Sequence, residues 1–304
     1  MKIQHNIPLS HFTTYRIGGP ADLFVSPKNR AELIEALSYV RDHAIPYFIL
    51  GTGANILVSD AGFRGLVIRN LYNHLSVSML QPTETARVHW LRAGSGATID
   101  RAIHVTRQHE LSGLEHFAGI PSTVGGALWQ NLHFLNPDRT ETVYIGNLLH
   151  HAYVMNMKTG EMNYYRQEDF AFGYDTSVLH QKSAVVIDAV FQLQPLPFEV
   201  LMRRMRENIT WREERHPPLA TVPSCGSVFK KIQGIGAGRL IDECGLKGFR
   251  IGDAMVSPQH ANFIINLGNA TAADVIRVIR HVQHVVREEK GYALEPEISF
   301  VGDF

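Results

Sequence analysis

The 304-residue chain has little cysteine, no excess charge of either sign and no long apolar segment. Its only cysteines, Cys225 and Cys244, form no C-x-x-C pair, which excludes a disulfide scaffold and predicts free thiols in a reducing compartment. The 29 basic residues equal the 29 acidic ones, so the global basic excess of a nucleic-acid-binding protein is absent, although a local basic patch stays possible. No apolar run approaches the ~20 residues of a membrane helix, and the N-terminus lacks a signal-peptide core. We therefore expect a cytoplasmic protein without nucleic-acid or membrane partners.

What is present is the composition of an ordinary globular protein, with 45% hydrophobic and 19% charged residues and a length typical of two or three domains. The sequence predicts four helices, at Arg30–His43, Ile99–His109, Phe198–Glu214 and Thr271–Lys290. Apolar runs predict strands that include Tyr47–Leu50, Val88–Ala93, Ala184–Leu193 and Ala293–Val301, and the polar stretch 132–142 predicts a long loop. Because helices and strands are interspersed without a strict βαβ alternation, we predict an α+β fold.

Three glycine-rich segments lie in the N-terminal half, at Tyr15–Gly19, Gly51–Asn55 and Gly119–Gly126. The second segment follows a strand but fails the dinucleotide-binding fingerprint, because Ile56 stands where the sixth position requires glycine. Small residues in such segments expose backbone N–H groups that can hold phosphate oxygens. The plainer alternative is three tight turns. One bulky cofactor with a diphosphate would account for all three segments together.

These segments form part of an ordered set that resembles the UDP-N-acetylenolpyruvoylglucosamine reductase family. The N-terminal members of the set are Tyr15–Asp22, Gly51–Asp60 and Gly119–Gly126. The C-terminal members are Gly226–Lys230, Gly238–Asp242, Gly245–Gly248, His260–Asn266 and Leu294–Ile298. The matching stretches run in family order from residue 13 to residue 302, and the chain length is similar to the shorter of the family's two structural types.

The resemblance implies a fold, a reaction and a set of cofactor-binding residues. The implied fold is a two-subdomain FAD-binding domain of the vanillyl-alcohol-oxidase type (1–70 and 71–197) followed by an α+β substrate-binding domain (198–304). The implied reaction is the NADPH-dependent, FAD-mediated reduction of UDP-N-acetylglucosamine enolpyruvate to UDP-N-acetylmuramate in peptidoglycan precursor synthesis, by a monomer. The implied FAD-binding residues are Tyr15, Arg16, Gly18, Gly51, Thr52, Gly53, Ala54, Asn55, Ile56, Gly119, Ile120, Pro121, Ser122, Thr123, Gly125 and Gly126.

The resemblance also assigns catalytic and substrate-binding roles. Ser227 matches the family's proton donor and Glu297 its second catalytic residue. Without the family, Ser227 is a turn residue and Glu297 a solvated side chain. Tyr174, Lys231 and His260 match substrate-binding positions, although a histidine before an apolar strand is typical of a structural residue. No set of histidines and carboxylates has metal-ligand spacing, so we expect no metal.

The chain departs from the family at the third catalytic position. The family usually has Tyr-Arg-x-Ser, with the arginine on the substrate's carboxylate, whereas here Asp175 follows Tyr174. A carboxylate cannot replace that guanidinium, so either Arg139 or Arg166 takes over, or Asp175 pairs with another basic group. After Gly126 the family's glycines are also missing, although Asn131 is kept. The alternatives to the reductase are therefore an FAD-dependent oxidoreductase with a different, sugar-like substrate, or a catalytically impaired flavin-binding homologue.

Overall fold

The computed structural model describes residues 1–80, 88–136, 138–232 and 234–304. The helices are α1 (Arg30–Asp42), α2 (Ile99–Gln108), α3 (Val124–Gln130), α4 (Phe198–Arg215), α5 (Ala237–Glu243) and α6 (Ala272–Lys290). The strands are β1 (Gln4–Pro8), β2 (Pro20–Val25), β3 (Tyr47–Leu50), β4 (Ile56–Val58), β5 (Phe63–Arg69), β6 (Leu75–Leu80), β7 (Val88–Gly94), β8 (Leu111–Ser112), β9 (His133–Leu135), β10 (Thr142–Tyr144), β11 (Leu149–Asn156), β12 (Met162–Arg166), β13 (Ala184–Pro195), β14 (Ser224–Ser227), β15 (Arg250–Ile251), β16 (Ala254–Val256), β17 (Phe263–Asn266) and β18 (Ser299–Val301).

The described residues form two compact units, each built from separate stretches of chain. The first unit contains residues Met1–Lys2, Val25–Gly51 and Ile68–Arg212. The second unit contains residues Ile3–Phe24, Thr52–Val67 and Glu213–Phe304. The three-part division at residues 70 and 197 stays a prediction.

The first unit is built on an antiparallel sheet with strand order β12-β11-β13-β7-β6. The long strand β13 pairs with β11 on one side and with β7 on the other, with Ala189 opposite both Ala152 and Ala93. These alanines are fully buried in the core of the unit, together with Phe117 and Phe191. Backbone hydrogen bonds from Gly125 N to Ser95 O (2.8 Å) and from Ile99 N to Ser122 O (2.9 Å) hold the third glycine-rich segment beside this sheet.

The predicted loop at 132–142 was wrong. Strands β9 and β10 form an antiparallel pair there, with Phe134 opposite Val143. Aromatic and β-branched side chains favour a strand, but both strands are only three residues long. Because the residues between the two strands are mostly polar, the sequence pattern of the whole stretch indicated a loop.

The second unit contains the antiparallel sheet β14-β17-β16-β15. Helix α6 buries Val275, Val278, Val282 and Val286 in the core of this unit, as its helical spacing predicted. At the C-terminus only Ser299–Val301 is a strand, paired in parallel with β4, so the strand predicted from Ala293 was too long. Pro296, which has no N–H to donate to a strand partner, lies among the residues that were predicted as a strand but do not form one.

No helix in the described ranges is both long and apolar enough to cross a membrane.

Candidate active site

The second unit brings the backbones of Ser227 and Glu297 together. Ser227 ends β14 opposite Phe263 of β17. The next residue, Val228, accepts a hydrogen bond at its carbonyl oxygen from the Glu297 N–H at 2.7 Å. Both Ser227 and Glu297 are half-buried. Two residues that are far apart in the chain therefore lie on hydrogen-bonded neighbouring segments, which is where a proton donor and its electrostatic partner would have to be.

Asn262 holds the segment after Ser227 in place. Its side-chain oxygen accepts from Phe229 N at 3.0 Å, and its side-chain nitrogen donates to Phe229 O at 2.8 Å. Phe229 also bridges to Pro296, and Lys230 N donates to Glu295 O at 2.9 Å. The Asn262 side chain therefore hydrogen-bonds to both the N–H and the C=O of Phe229, and in this way it holds the segment that follows Ser227.

The second glycine-rich segment reaches the same place through Asn55. The Asn55 side chain donates to Glu297 O at 3.5 Å, and Ser299 N donates to Asn55 O at 3.0 Å. Gly53 has φ +66°, and a Cβ at this position would clash with the Phe12 carbonyl oxygen. Glycine is therefore required where this segment passes the backbone of Phe12. Gly53 itself is buried, whereas Thr52, Ala54 and Asn55 are partly exposed.

The residues of the first glycine-rich segment have structural partners in the second unit. Tyr15 is fully buried, and its hydroxyl donates to Ile264 O at 2.8 Å. Burial raises the pKa of Tyr15, so the phenol stays protonated. The Arg16 guanidinium donates to Ala220 O at 3.2 Å, and Gly18 packs closely on Val58. A cofactor role for these residues stays a prediction, and for Tyr15 it would have to use the backbone.

In the first unit, Gly51 lies against the third glycine-rich segment. A Cβ at position 51 would lie 2.7 Å from the Thr123 hydroxyl oxygen. Thr123 begins α3 as its N-cap, and its hydroxyl accepts from Gly126 N at 3.2 Å. Gly125 is equally confined, since a Cβ there would lie 3.1 Å from Ser95 O. In the first unit, Gly51 and the third glycine-rich segment are therefore closely packed against each other.

Arg212 is a candidate that the sequence reasoning missed. Its Cδ and Nε atoms lie 3.7 Å from the position that a Cβ would take at Gly119, in the third glycine-rich segment. Its guanidinium lies 5.5 Å from the centre of the Phe134 ring, and burial lowers its pKa to about 10. It therefore remains charged at neutral pH, and across the described ranges no carboxylate forms an ion pair with it. In the sequence Arg212 is one of many charged residues of an amphipathic helix, so no signal distinguished it.

Asp175 is paired within the first unit. Its carboxylate is buried, and Oδ1 lies 3.6 Å from Nδ1 of His133. Tyr174 and Tyr144 flank the imidazole, with ring centres at 4.9 and 5.3 Å. Asp175 therefore lies beside the imidazole of His133, and its role at this position stays a prediction.

Asn131, which the chain shares with the family, supports the turn that carries Asp175. Its side chain donates to Gly173 O at 2.9 Å and accepts from Gly146 N at 3.1 Å. The two arginines considered as replacements lie elsewhere: exposed Arg166 is 4.0 Å from Glu168, and Arg139 lies on the Trp211 ring at 5.1 Å.

The predicted substrate residues have different surroundings. Lys231 is exposed. The His260 ring is largely buried near Phe263 at 4.9 Å, and its Nδ1 accepts from Asn262 N at 3.2 Å. Burial lowers the pKa of His260, so the ring is neutral at pH 7. Within the described part of the chain, no group of three or more metal-ligating side chains occurs.

Comparisons with known proteins match almost the entire chain. The model of the UDP-N-acetylenolpyruvoylglucosamine reductase C-terminal domain matches residues 217–301, and an FAD-binding domain model matches residues 21–162. The UDP-N-acetylenolpyruvoylglucosamine reductase of Exiguobacterium sibiricum is 40% identical over 98% of this chain and 92% of its own. That of Caldanaerobacter subterraneus is 36% identical over 99% and 94%. The chain belongs to the UDP-N-acetylenolpyruvoylglucosamine reductase family.

A solved structure agrees with this membership. The crystal structure of the UDP-N-acetylenolpyruvylglucosamine reductase from Thermus caldophilus has a TM-score of 0.79 and 33% identity, covering 99% of both chains. The predicted α+β class, with an FAD-binding domain followed by the reductase C-terminal domain, is confirmed.

The residues present in this reductase-family chain fit FAD. The FAD-binding match includes the second and third glycine-rich segments. Gly119 of the third segment is exposed, and Gly51, Ala54 and Asn55 of the second are partly exposed, so their backbone is accessible to a ligand. Backbone N–H groups in such segments are suited to the oxygens of a diphosphate. The half-buried charge of Arg212 beside Gly119 suits an anionic group as well.

Proposed function

We propose that the chain reduces UDP-N-acetylglucosamine enolpyruvate to UDP-N-acetylmuramate, with NADPH as the reductant, in peptidoglycan precursor synthesis. The observation that supports this proposal is the hydrogen bond from Glu297 N to the carbonyl oxygen of Val228, the residue that follows Ser227. The chemistry that FAD supplies when bound is hydride transfer from NADPH to the substrate. The protein positions the substrate and supplies the proton.

Ser227 donates the proton in this proposal. A serine hydroxyl is a weak acid, so its donation requires groups that stabilise the developing negative charge and hold the hydroxyl in line. Asn262 fixes the backbone on the C-terminal side of Ser227. Glu297, on the adjacent segment, supplies the electrostatic partner.

The second glycine-rich segment holds the diphosphate of FAD through backbone N–H groups. In the third segment, Gly125 N and Gly126 N already donate to Ser95 O and Thr123 Oγ1. Lys231, Tyr174 and His260 bind the sugar nucleotide, with the exposed ammonium of Lys231 as a point charge for its diphosphate. Because Asp175 is buried against His133, position 175 supplies no cation. Arg212, a charged group without a carboxylate partner within the described residues, is the cation we assign to an anionic group of the bound substrate or cofactor.

Anaerobic half-reactions of the Ser227→Ala variant test this proposal. The FAD-loaded variant should be reduced by NADPH at the wild-type rate, with bleaching of the visible flavin band. Reoxidation by UDP-N-acetylglucosamine enolpyruvate should be slower by ~10²–10⁴-fold, the usual contribution of a positioned proton donor. Ser76→Ala, in the exposed part of β6, is the matched control and should leave both half-reactions unchanged.

Other outcomes would contradict the proposal at different steps. Equal slowing of both half-reactions would show that Ser227 is not the proton donor. Bleaching of the wild type without recovery on addition of the enolpyruvyl sugar nucleotide would exclude this substrate. Absence of a flavin band after reconstitution with FAD would contradict the flavoenzyme itself.

The Asp175–His133 pair favours a second candidate function. A chain whose carboxylate-binding arginine is replaced by a buried acid suits an FAD-dependent oxidoreductase that acts on a sugar-like substrate without that carboxylate. Rapid reoxidation of the reduced flavin by oxygen, with no response to the enolpyruvyl sugar nucleotide, would support this candidate. Bound flavin that NADPH does not reduce would instead indicate a flavin-binding homologue without turnover.

A further inference from the structure

A cationic cavity of about 440 Å³, shallow and wide open to solvent, lies at the beginning of α1 in the first unit. Its lining includes three basic side chains, Lys28, Arg30 and Arg92, with Tyr72 and His74 beside them. None of the lining residues is acidic, and none belongs to a glycine-rich segment or to the residues assigned to the reductase reaction. The cavity is therefore separate from every group used above.

A buried carboxylate beneath the cavity orients the two guanidiniums. Arg30 Nε donates to Oδ2 of Asp188 at 3.0 Å, and an Arg92 amino group lies 3.6 Å from the same oxygen. The Asp188 side chain is fully buried, whereas those of Arg30 and Arg92 are 43% and 48% exposed. Each guanidinium therefore has one side fixed by Asp188 and surface left for another partner, which lowers the cost of ordering the side chain when a ligand binds.

Tyr72 already satisfies the other oxygen of Asp188. Its hydroxyl donates to Oδ1 at 2.6 Å, and burial together with the neighbouring carboxylate raises the pKa of Tyr72 to about 12, so the phenol remains a donor. Arg30 and Tyr72 are sufficient to satisfy this carboxylate. Neither Lys28 nor Arg92, whose guanidinium also lies 6.0 Å from the centre of the Tyr153 ring, is needed to satisfy it.

The positive charges exceed the negative ones around the cavity. Lys28, Arg30 and Arg92 oppose Asp188 and one further carboxylate, that of Glu32, which accepts from Lys28 N at 2.7 Å. The Lys28 ammonium has no ion pair among residues 1–80, 88–136, 138–232 and 234–304. The 13-residue helix α1 also begins at the cavity, and its N-terminus adds partial positive charge.

We propose that this cavity binds a small phosphate-bearing anion, of the size of a diphosphate. Two forked guanidiniums and an ammonium match the several oxygens and the charge of a phosphate group better than a single carboxylate, which one guanidinium would satisfy. The cavity volume leaves room for more than one such group. The site goes beyond the reductase reaction, since it uses none of the residues assigned to that reaction.

Isothermal titration calorimetry of the FAD-loaded protein with pyrophosphate, at low ionic strength, tests the proposal. One pyrophosphate per chain should bind, more weakly as salt is added. Arg92→Gln and Lys28→Gln should each weaken binding by ~10-fold or more, as expected for loss of a charge-assisted contact. Arg203→Gln, which removes an exposed arginine paired with Glu207 on α4, is the matched control and should bind pyrophosphate like the wild type.

Three results would overturn the proposal. The first is absence of pyrophosphate binding by the wild-type protein. The second is equal affinity in the wild type, Arg92→Gln and Lys28→Gln, which would place the anion elsewhere. The third is binding to the apoprotein that disappears when FAD saturates it, which would assign the cavity to the cofactor. Thermal melting of each variant verifies folding, and Arg30 is left unchanged because its removal would strip Asp188 of its nearest cation.

Discussion

At the scale of single residues, position 175 shows how a changed side chain alters its surroundings. Asp175 has φ +52°, a left-handed conformation that Asp and Asn tolerate better than long side chains do. Its carboxylate is buried beside His133 within an aromatic cluster. An arginine at this position would carry its charge into the space beside the imidazole. The local fold is therefore adapted to a carboxylate.

We predict that Asp175→Arg, which restores the family residue, destabilises the protein. The larger side chain, the repulsion of any charge on His133 and the strained φ should together lower the free energy of unfolding by ~2 kcal/mol or more. Asp175→Asn keeps shape and backbone and should cost less. Urea denaturation of both variants measures the difference. Equal stability of the Arg variant and the wild type would show that the pocket around position 175 can open for a guanidinium.

Arg212 illustrates a site residue that sequence patterns could not reveal. Ser227 and Glu297 were predicted because they lie in short family motifs, and the structure sets them on adjacent segments. Arg212 lies in a helix rich in Arg and Glu, where its charge has no distinguishing context. Only the folded structure shows that its side chain lies against Gly119 and Phe134 and that it lacks an anionic partner in the described part of the chain.

We predict that Arg212→Met separates stability from function. Methionine keeps the packing on Phe134 and removes a partly desolvated cation, so the free energy of unfolding of the apoprotein should stay equal or increase. Reoxidation of the reduced flavin by the enolpyruvyl substrate, or FAD affinity, should fall at least ~10-fold. Arg203→Met, at an exposed position, should change neither quantity. A large loss of apoprotein stability without loss of function would show that Arg212 is structural.

At the scale of secondary structure, Asp60 connects a sequence motif to the start of a distant helix. Its two carboxylate oxygens accept from Ala272 N at 2.8 Å and from Ala273 N at 3.0 Å. The N-cap Thr271 accepts from Asp274 N, and the Asp274 side chain accepts in return from Thr271 N, which together form a capping box. The first three N–H groups of α6 are therefore all satisfied, one by the local sequence and two by a residue about two hundred positions earlier.

We predict that Asp60→Ala destabilises the second unit by ~1–2 kcal/mol, the range measured for loss of an N-terminal cap together with its charge. Asp60→Asn keeps one oxygen acceptor and should lie between the wild type and Asp60→Ala. Chemical denaturation measures all three. Asp42→Ala, in the exposed last turn of α1, removes the same group without a cap and should stay within ~0.5 kcal/mol of the wild type. Equal effects at positions 42 and 60 would refute the capping role.

Helices were predicted better than strands, for a physical reason. The start and end of α1 and α6 came within a residue or two of prediction because caps and 3.6-residue spacing are local signals. Strands β9 and β15 are only three and two residues long, and they pair with their neighbours β10 and β16 in hairpins. So few residues show little period-2 alternation in the sequence. The bounds of β18 depend on its pairing with the distant β4, which the local sequence does not show.

At the scale of the whole molecule, each compact unit is built from stretches that are not consecutive in the chain. Residues 3–24 and 52–67 belong with the C-terminal segment, whereas residues 25–51 belong with the middle of the chain. The amino-acid composition changes little where the chain passes from one unit to the other. The boundaries of the units therefore follow from contacts in the folded structure and not from a local sequence pattern. The second glycine-rich segment is itself divided, with Gly51 in the first unit and Thr52–Asn55 in the second. Both parts of this segment are among the residues predicted to bind FAD.

FAD should therefore stabilise the complete chain. At a free concentration ~100 times its dissociation constant, a ligand that binds only the native state adds ~2.7 kcal/mol to the free energy of unfolding. Riboflavin keeps the isoalloxazine ring but lacks the diphosphate and adenosine, so it should raise the melting temperature of the apoprotein much less at equal concentration. Differential scanning calorimetry of the apoprotein with each compound, and with AMP as the control for the adenosine half, measures the contribution of the diphosphate. A shift with riboflavin as large as that with FAD would show that the glycine-rich segments do not hold a diphosphate, and would leave their close packing as a structural feature alone.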